Sequence, residues 1–137
     1  MVRDACFAAP APNYAAGTAA PLEHIPHLYF MDPVEGKEPD GKVVVPDFVV
    51  DIAAAFTRKR DMLAEHASQR VWLQQHHGVD NYLDEMERWS RARGAVAGRE
   101  FGEGFRSYRG HAFPQNGLLE QVLTAEIVPI NPGLTPR

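Results

Sequence analysis

The sequence predicts a helix-rich α/β protein with two or three short strands and several helices. Three observations predict it. First, His27–Met31 and Asp47–Ile52 are short and mostly apolar on consecutive positions, the pattern of strands covered on both faces. Second, the stretch from Val49 to His77 starts strand-like and then changes period. Ile52, Phe56, Leu63 and Ala67 fall on one stripe, with Ala55, Met62 and His66 beside it, which is helical spacing. Third, Tyr82, Met86 and Trp89, with Leu83 adjacent, repeat that spacing over Asn81–Ala92.

Composition bounds the possibilities. A chain of 137 residues is one ordinary domain, long enough to bury roughly 70% of its unfolded surface. Hydrophobic residues at 45% and charged residues at 23% are usual for a soluble globular protein. A formal charge of -4 argues against a nucleic-acid footprint. The single cysteine, Cys6, excludes an internal disulfide and suits a reducing compartment, so a cytoplasmic location is expected. No apolar run approaches the roughly 20 residues of a membrane span, and residues 1–20 lack the basic start and apolar core of a signal peptide. Residues 1–125 read as a single domain and residues 126–137, with three prolines, as an extended tail.

In chain order, Met1–Ala9 reads as a short helix with Val2, Cys6 and Ala9 on one side, stopped by Pro10 and Pro12. Lacking a cap, it resembles the end of a helix whose first turns are absent. Asn13–Glu23 is a loop. After the first strand, Asp32–Gly41 is polar and turn-rich, and Lys42–Pro46 is a small extended piece. The second strand turns at Asp51 into the long helix, whose wet face is Arg58, Lys59, Arg60, Asp61 and Glu65, and which meets no Gly or Pro before Gly78. Asp80 or Asn81 caps the next helix, Asp84 and Arg88 form an i,i+4 pair, and Gly94 and Gly98 end it. Arg99–Gln115 reads as an aromatic, basic, glycine-rich loop, and Gly117–Ala125 as a last short helix through Leu118, Leu119 and Val122. Two short strands alone make a marginal sheet. The economical account is a chain that continues a sheet begun elsewhere, with Leu28–Phe30 and Phe48–Val50 left at an unpaired edge and a tendency to self-associate.

The run from Pro26 to Arg109 resembles the carboxy-terminal part of the PIG-L/LmbE-like deacetylases. The matching pieces are His27-Leu-Tyr-Phe, Val50-Asp-Ile, Lys59-x-x-Met-Leu-x-x-His66-x-Ser68-Gln69 and Gly102-Glu-Gly-Phe-Arg106, in order and with fitting gaps. The resemblance implies a Rossmann-like fold and a zinc-dependent hydrolase that removes an acetyl group from an N-acetylated amino-sugar or related small molecule. It also implies an Ala-His-Pro-Asp-Asp-like segment and a His-x-x-His-like segment that supply two His and one Asp to zinc and an aspartate as general base. Zinc held by three protein ligands keeps one position for water and lowers its pKa to about 7, and a nearby carboxylate then takes the proton. This sequence contains no His-Pro and no Asp-Asp. The expectation is therefore a truncated start, lying after the metal site, with no zinc bound to this chain, no catalytic residue in it and no activity alone.

The remaining candidates are weighed residue by residue. His24-Ile-Pro-His27 has His-x-x-His spacing, but Pro26 and the loop context favour an ordinary surface pair over a metal site. His76 and His77 are adjacent on the helix pattern and point ~100° apart, which suits a helix end better than a shared ion. His66, beside the apolar stripe, reads as a buried structural histidine. Trp72 and Trp89 read as packing between helices, and Cys6 as incidental. In the glycine-rich stretch, Glu103, Arg106, Tyr108 and His111 are the candidate substrate-binding residues, an assignment resting mostly on the resemblance. Glycine lets backbone approach a ligand, and Arg with Tyr suits a hydroxylated or anionic one. The plain alternative is a surface loop pinned by Phe101, Phe105 and Tyr108. For the whole chain, the alternative to a hydrolase portion is a non-catalytic α/β interaction module.

Overall fold

A computed structural model describes residues 1–14, 17–66 and 82–131. Its centre is a four-stranded antiparallel sheet in the order β1-β3-β2-β4, made of β1 (Tyr29–Met31), β2 (Phe48–Asp51), β3 (Gly102–Ser107) and β4 (Ile127–Pro129). Tyr29 faces Ser107 and Met31 faces Phe105 across β1 and β3. Phe48 faces Phe105 and Asp51 faces Gly102 across β2 and β3, and Val49 faces Val128 across β2 and β4. The described helices are α1 (Val2–Ala8), α2 (Phe56–Ala64), α3 (Tyr82–Val96) and α4 (Leu118–Val122). None is long and apolar enough to cross a membrane.

The core sits on β2. Val49 is fully buried, and Phe48, Val44, Phe56, Phe101 and Phe113 are nearly so. Each contributes about 1.5–3 kcal/mol by leaving water. Aromatic rings supply its shape. Phe48 stacks on Phe105 with centroids 5.7 Å apart and meets Tyr29 edge-on, while Phe56 stacks on Phe101 at 3.7 Å. The turn at Asp51 forms as the sequence indicates: its carboxylate accepts the Ala53 N–H at 3.0 Å, opening a 3-10 turn (Ala53–Ala55) that runs into α2. Gly117, at φ 60°, opens α4 in the left-handed region.

Several expectations are corrected. The sheet has four strands rather than two or three, and β3 lies within the stretch expected to be a loop. Glycines at 102 and 104 mask the strand signal, because they remove side chains from alternate positions. β2, expected at an open edge, has a neighbour on each side, whereas β1 does lie at an edge. Residues 127–129 of the expected tail join the sheet as β4. The long helix ends at Ala64, with Glu65 and His66 already outside it, so its expected continuation over 67–77 falls beyond the described residues. His66 is exposed rather than buried, since it follows the last helical turn and leaves the apolar stripe. The longest described helix is α3, which carries Gly94 in its interior and ends before Gly98. Its buried residues are Ser90 and Gly94, so it packs by small side chains and leaves Met86 and Trp89 half-exposed. On its outer face Arg88 pairs with Glu85, and Arg91 with Glu87 at 2.9 Å. Trp72, His76, His77, Asp80 and Asn81 lie outside the described residues.

Candidate functional site

The site is built on β3. Gly102 and Gly104 carry no side chains, so α3 and Asp32 reach the strand closely on either side of Glu103. Glu103 accepts the Lys59 ammonium at 2.7 Å; the two side chains are about a quarter and a third exposed. Lys59 also donates to the Ser90 hydroxyl at 3.1 Å, and that hydroxyl donates in turn to the Met86 sulfur at 3.7 Å. This chain ties α2, α3 and β3 together. A second pair, Arg93 with Asp32, lies nearby and is more deeply buried. Arg93 also donates to the Val44 carbonyl, with both terminal nitrogens at 3.4 Å. Burial pushes the Asp32 carboxyl above its ordinary range, with Arg93 and then Arg106 pulling the other way.

These two pairs border a cleft of about 560 Å³ between α3, β3 and the loop after β1. Met86, Trp89 and Val96 come to it from α3, Val43 from the loop and Met31 from the edge strand. Lys59, Ser90 and Glu103 supply a polar patch, and Asp32, Glu35, Lys37 and Arg93 add further charged side chains to the lining.

The predicted substrate-binding residues separate in space. Glu103 lines the cleft. Arg106 is not among the described residues lining the cleft; it bonds Glu38 at 3.0 Å, and its buried Nε has no hydrogen-bond partner among the described residues. The Tyr108 ring is held edge-on between Phe30 and Phe113, with centroids 6.0 and 4.7 Å away. It borders a small depression shared with His27, Tyr29, Ser107 and Glu120. His111 is exposed in a turn. Sequence reasoning missed Asp32, Ser90 and Arg93 and assigned Lys59 to the solvated face. The available signal for Lys59 was its place in the helical piece of the family resemblance. Asp32 and Arg93, far apart in sequence, had none.

The small depression contains a network of its own. Tyr29 donates to Glu120 at 3.0 Å and accepts the Leu119 N–H at 2.9 Å, while Ser107 donates to Glu120 at 3.4 Å. Burial raises the Tyr29 hydroxyl pKa above its usual value, and Glu120 adds to that effect. This network holds α4 against the sheet.

Among the described residues, no group of three His, Cys, Asp or Glu is placed to hold a metal. His24 is exposed, and the His27 Nε2 is engaged by the Asn116 side-chain oxygen at 2.6 Å. No family model matches the chain, and no curated protein or solved structure matches it.

Proposed function

We propose that this chain is the carboxy-terminal portion of a PIG-L/LmbE-like zinc-dependent hydrolase, one that removes an acetyl group from an N-acetylated amino-sugar or related substrate. In this reading the zinc ligands and the catalytic base lie outside these residues, and the antiparallel sheet extends a Rossmann-like one. The chain itself contributes the sheet, the packing helices and a substrate-side cleft, and no catalytic step runs through its residues.

The observation that carries the reading is the convergence of the matching pieces on one strand. Gly102–Arg106 is β3. The His27-Leu-Tyr-Phe piece enters β1 and pairs with it on one side. The Val50-Asp-Ile piece ends β2 and pairs with it on the other. The Lys59 helix piece places its ammonium on Glu103. Pieces spread over 80 positions need not meet in a chance resemblance. Ser68 and Gln69 lie outside the described residues.

The exposed Phe30 and Met31 on edge strand β1 favour the alternative, a non-catalytic interaction module. The coding region before Met1 separates the two. The hydrolase reading expects an in-frame His-Pro-Asp-Asp-like segment there, and zinc-dependent acetate release from an N-acetylated amino-sugar by the extended product. A reading frame without that segment, or tight stoichiometric zinc on the 137-residue chain, overturns it.

A further inference from the structure

One border of the cleft lies outside the core. Residues 33–43 leave β1 and lead back to β2, and none of the side chains from 35 to 43 is buried. The two ends of this segment are fixed. Asp32 pairs with Arg93, each under a fifth exposed, and its N–H donates to the Gly104 carbonyl at 3.2 Å. Val44 and Pro46 are buried, and the Val44 carbonyl accepts from Arg93. Arg93 therefore holds the segment where it starts and where it finishes. It also lies against Gly36, where a Cβ would come within 2.8 Å of its guanidinium. Between the ends the bonding is internal. Gly36 donates to the Pro33 carbonyl at 2.9 Å, Glu38 to Lys42 at 2.9 Å and Gly41 to Glu38 at 2.8 Å, and Lys37 bridges Val43. Among the described residues, the side-chain tether from this segment to the sheet is Glu38 with Arg106, each about two-fifths exposed. Such a pair holds weakly, because water competes for both partners. Backbone strain works against it. Glu35 has φ 64° and Gly36 φ 61°, and the left-handed region is unfavourable for an L side chain such as that of Glu35.

We infer that residues 33–43 are a lid on the 560 Å³ cleft, swinging as a unit about the base that Arg93 fixes. Glu38 on Arg106 is its latch, and the left-handed Glu35 is the strain that opening relieves. As the lid swings out, the Val44 N–H loses the Gly36 carbonyl and Glu38 leaves Arg106. The cleft then loses the wall made by Glu35, Lys37 and Val43, and Met86 and Trp89 on α3 open to solvent. The sheet and α3 stay in place, since few buried contacts have to break. The motion belongs to these residues whether or not the complete protein is a hydrolase.

Hydrogen exchange in the full chain reads the motion. The Val44 amide, bonded to the Gly36 carbonyl at 2.8 Å, reports the lid, and the Asp47 amide, bonded to the Phe105 carbonyl at 2.8 Å, reports the sheet. Corrected for intrinsic rates, Val44 should exchange at least about tenfold faster than Asp47, through a local opening. Glu38→Ala should speed Val44 exchange about two- to fivefold and leave Asp47 unchanged. Glu35→Gly should slow it about fivefold, because glycine holds the left-handed conformation without strain. Glu35→Ala removes the same contact with Lys37 but keeps the strain, so it should not slow exchange. Access to the cleft is the second readout. Trp72→Phe leaves Trp89 as the remaining tryptophan. Acrylamide quenching of Trp89 should rise with Glu38→Ala and fall with Glu35→Gly. The inference is overturned by Val44 and Asp47 exchanging together, by Glu38→Ala exchanging no faster, or by Glu35→Gly exchanging no slower than Glu35→Ala. Trp89 quenching that fails to follow the two variants in these opposite directions would likewise overturn it.

Discussion

Gly94 on α3 and Gly102 on β3 are in direct backbone contact: a Cβ added to Gly102 would lie 3.0 Å from the Gly94 Cα and 2.5 Å from a Val49 methyl. A Cβ on Gly94 would meet the Arg99 carbonyl at 2.7 Å and the Phe101 nitrogen at 2.8 Å. Helix and strand reach this spacing only because neither position has a side chain. Gly94→Ala and Gly102→Ala should each cost about 2–3 kcal/mol through overpacking, read as a lowered urea midpoint. Gly98→Ala, where φ is 65° and nothing lies within 4 Å, should cost only about 1 kcal/mol from backbone strain.

Lys59→Met leaves Glu103 a quarter exposed and without its ammonium. The expected loss is about 1–2 kcal/mol, less than for a fully buried pair because solvent reaches both groups. Lys59→Met with Glu103→Leu should recover part of it. A double-mutant cycle in denaturant giving a coupling near zero would show that the pair is decorative.

Asp32 has a pKa raised from 3.8 by burial, so the folded state binds its proton more tightly than the unfolded chain does. The stability this group contributes is therefore greatest below 3.8 and is lost as pH rises through the folded value. Measured against Asp32→Asn, which does not titrate, wild-type stability should decline across the interval opening at about 3.8 and running upward. Paired denaturant titrations at steps through that interval check the sign. A wild-type advantage that grows with pH there would mean Arg93 outweighs burial.

Tyr29→Phe removes the hydroxyl that accepts the Leu119 N–H and donates to Glu120. The cost should be about 1–2 kcal/mol. Hydrogen exchange at the Leu119 amide should speed up before the amides of β2 do, because α4 loosens from the sheet first.

His66→Ala should change stability by no more than about 0.5 kcal/mol, as befits an exposed residue beyond the end of α2. A loss of several times that size in a thermal melt would restore the buried role its position in the apolar stripe suggested.

Local pattern alone determined the mixed α/β class, the strands at 29–31 and 48–51, the turn at Asp51, the helix through Met86 and Trp89 and the short helix after Gly117. Each of these depends on the spacing of neighbours a few residues apart or on one turn-forming side chain. Tertiary structure decided what depends on distant partners. It turned the glycine-rich stretch into the strand between β1 and β2, because Val49, Gly94 and Asp32 need the space its missing side chains leave. It also drew Lys59 out of the solvated face onto Glu103, and paired Asp32 with Arg93 across 61 positions. A local pattern records which residues are apolar, whereas an ion pair or a glycine contact is set by what the folded chain brings opposite it.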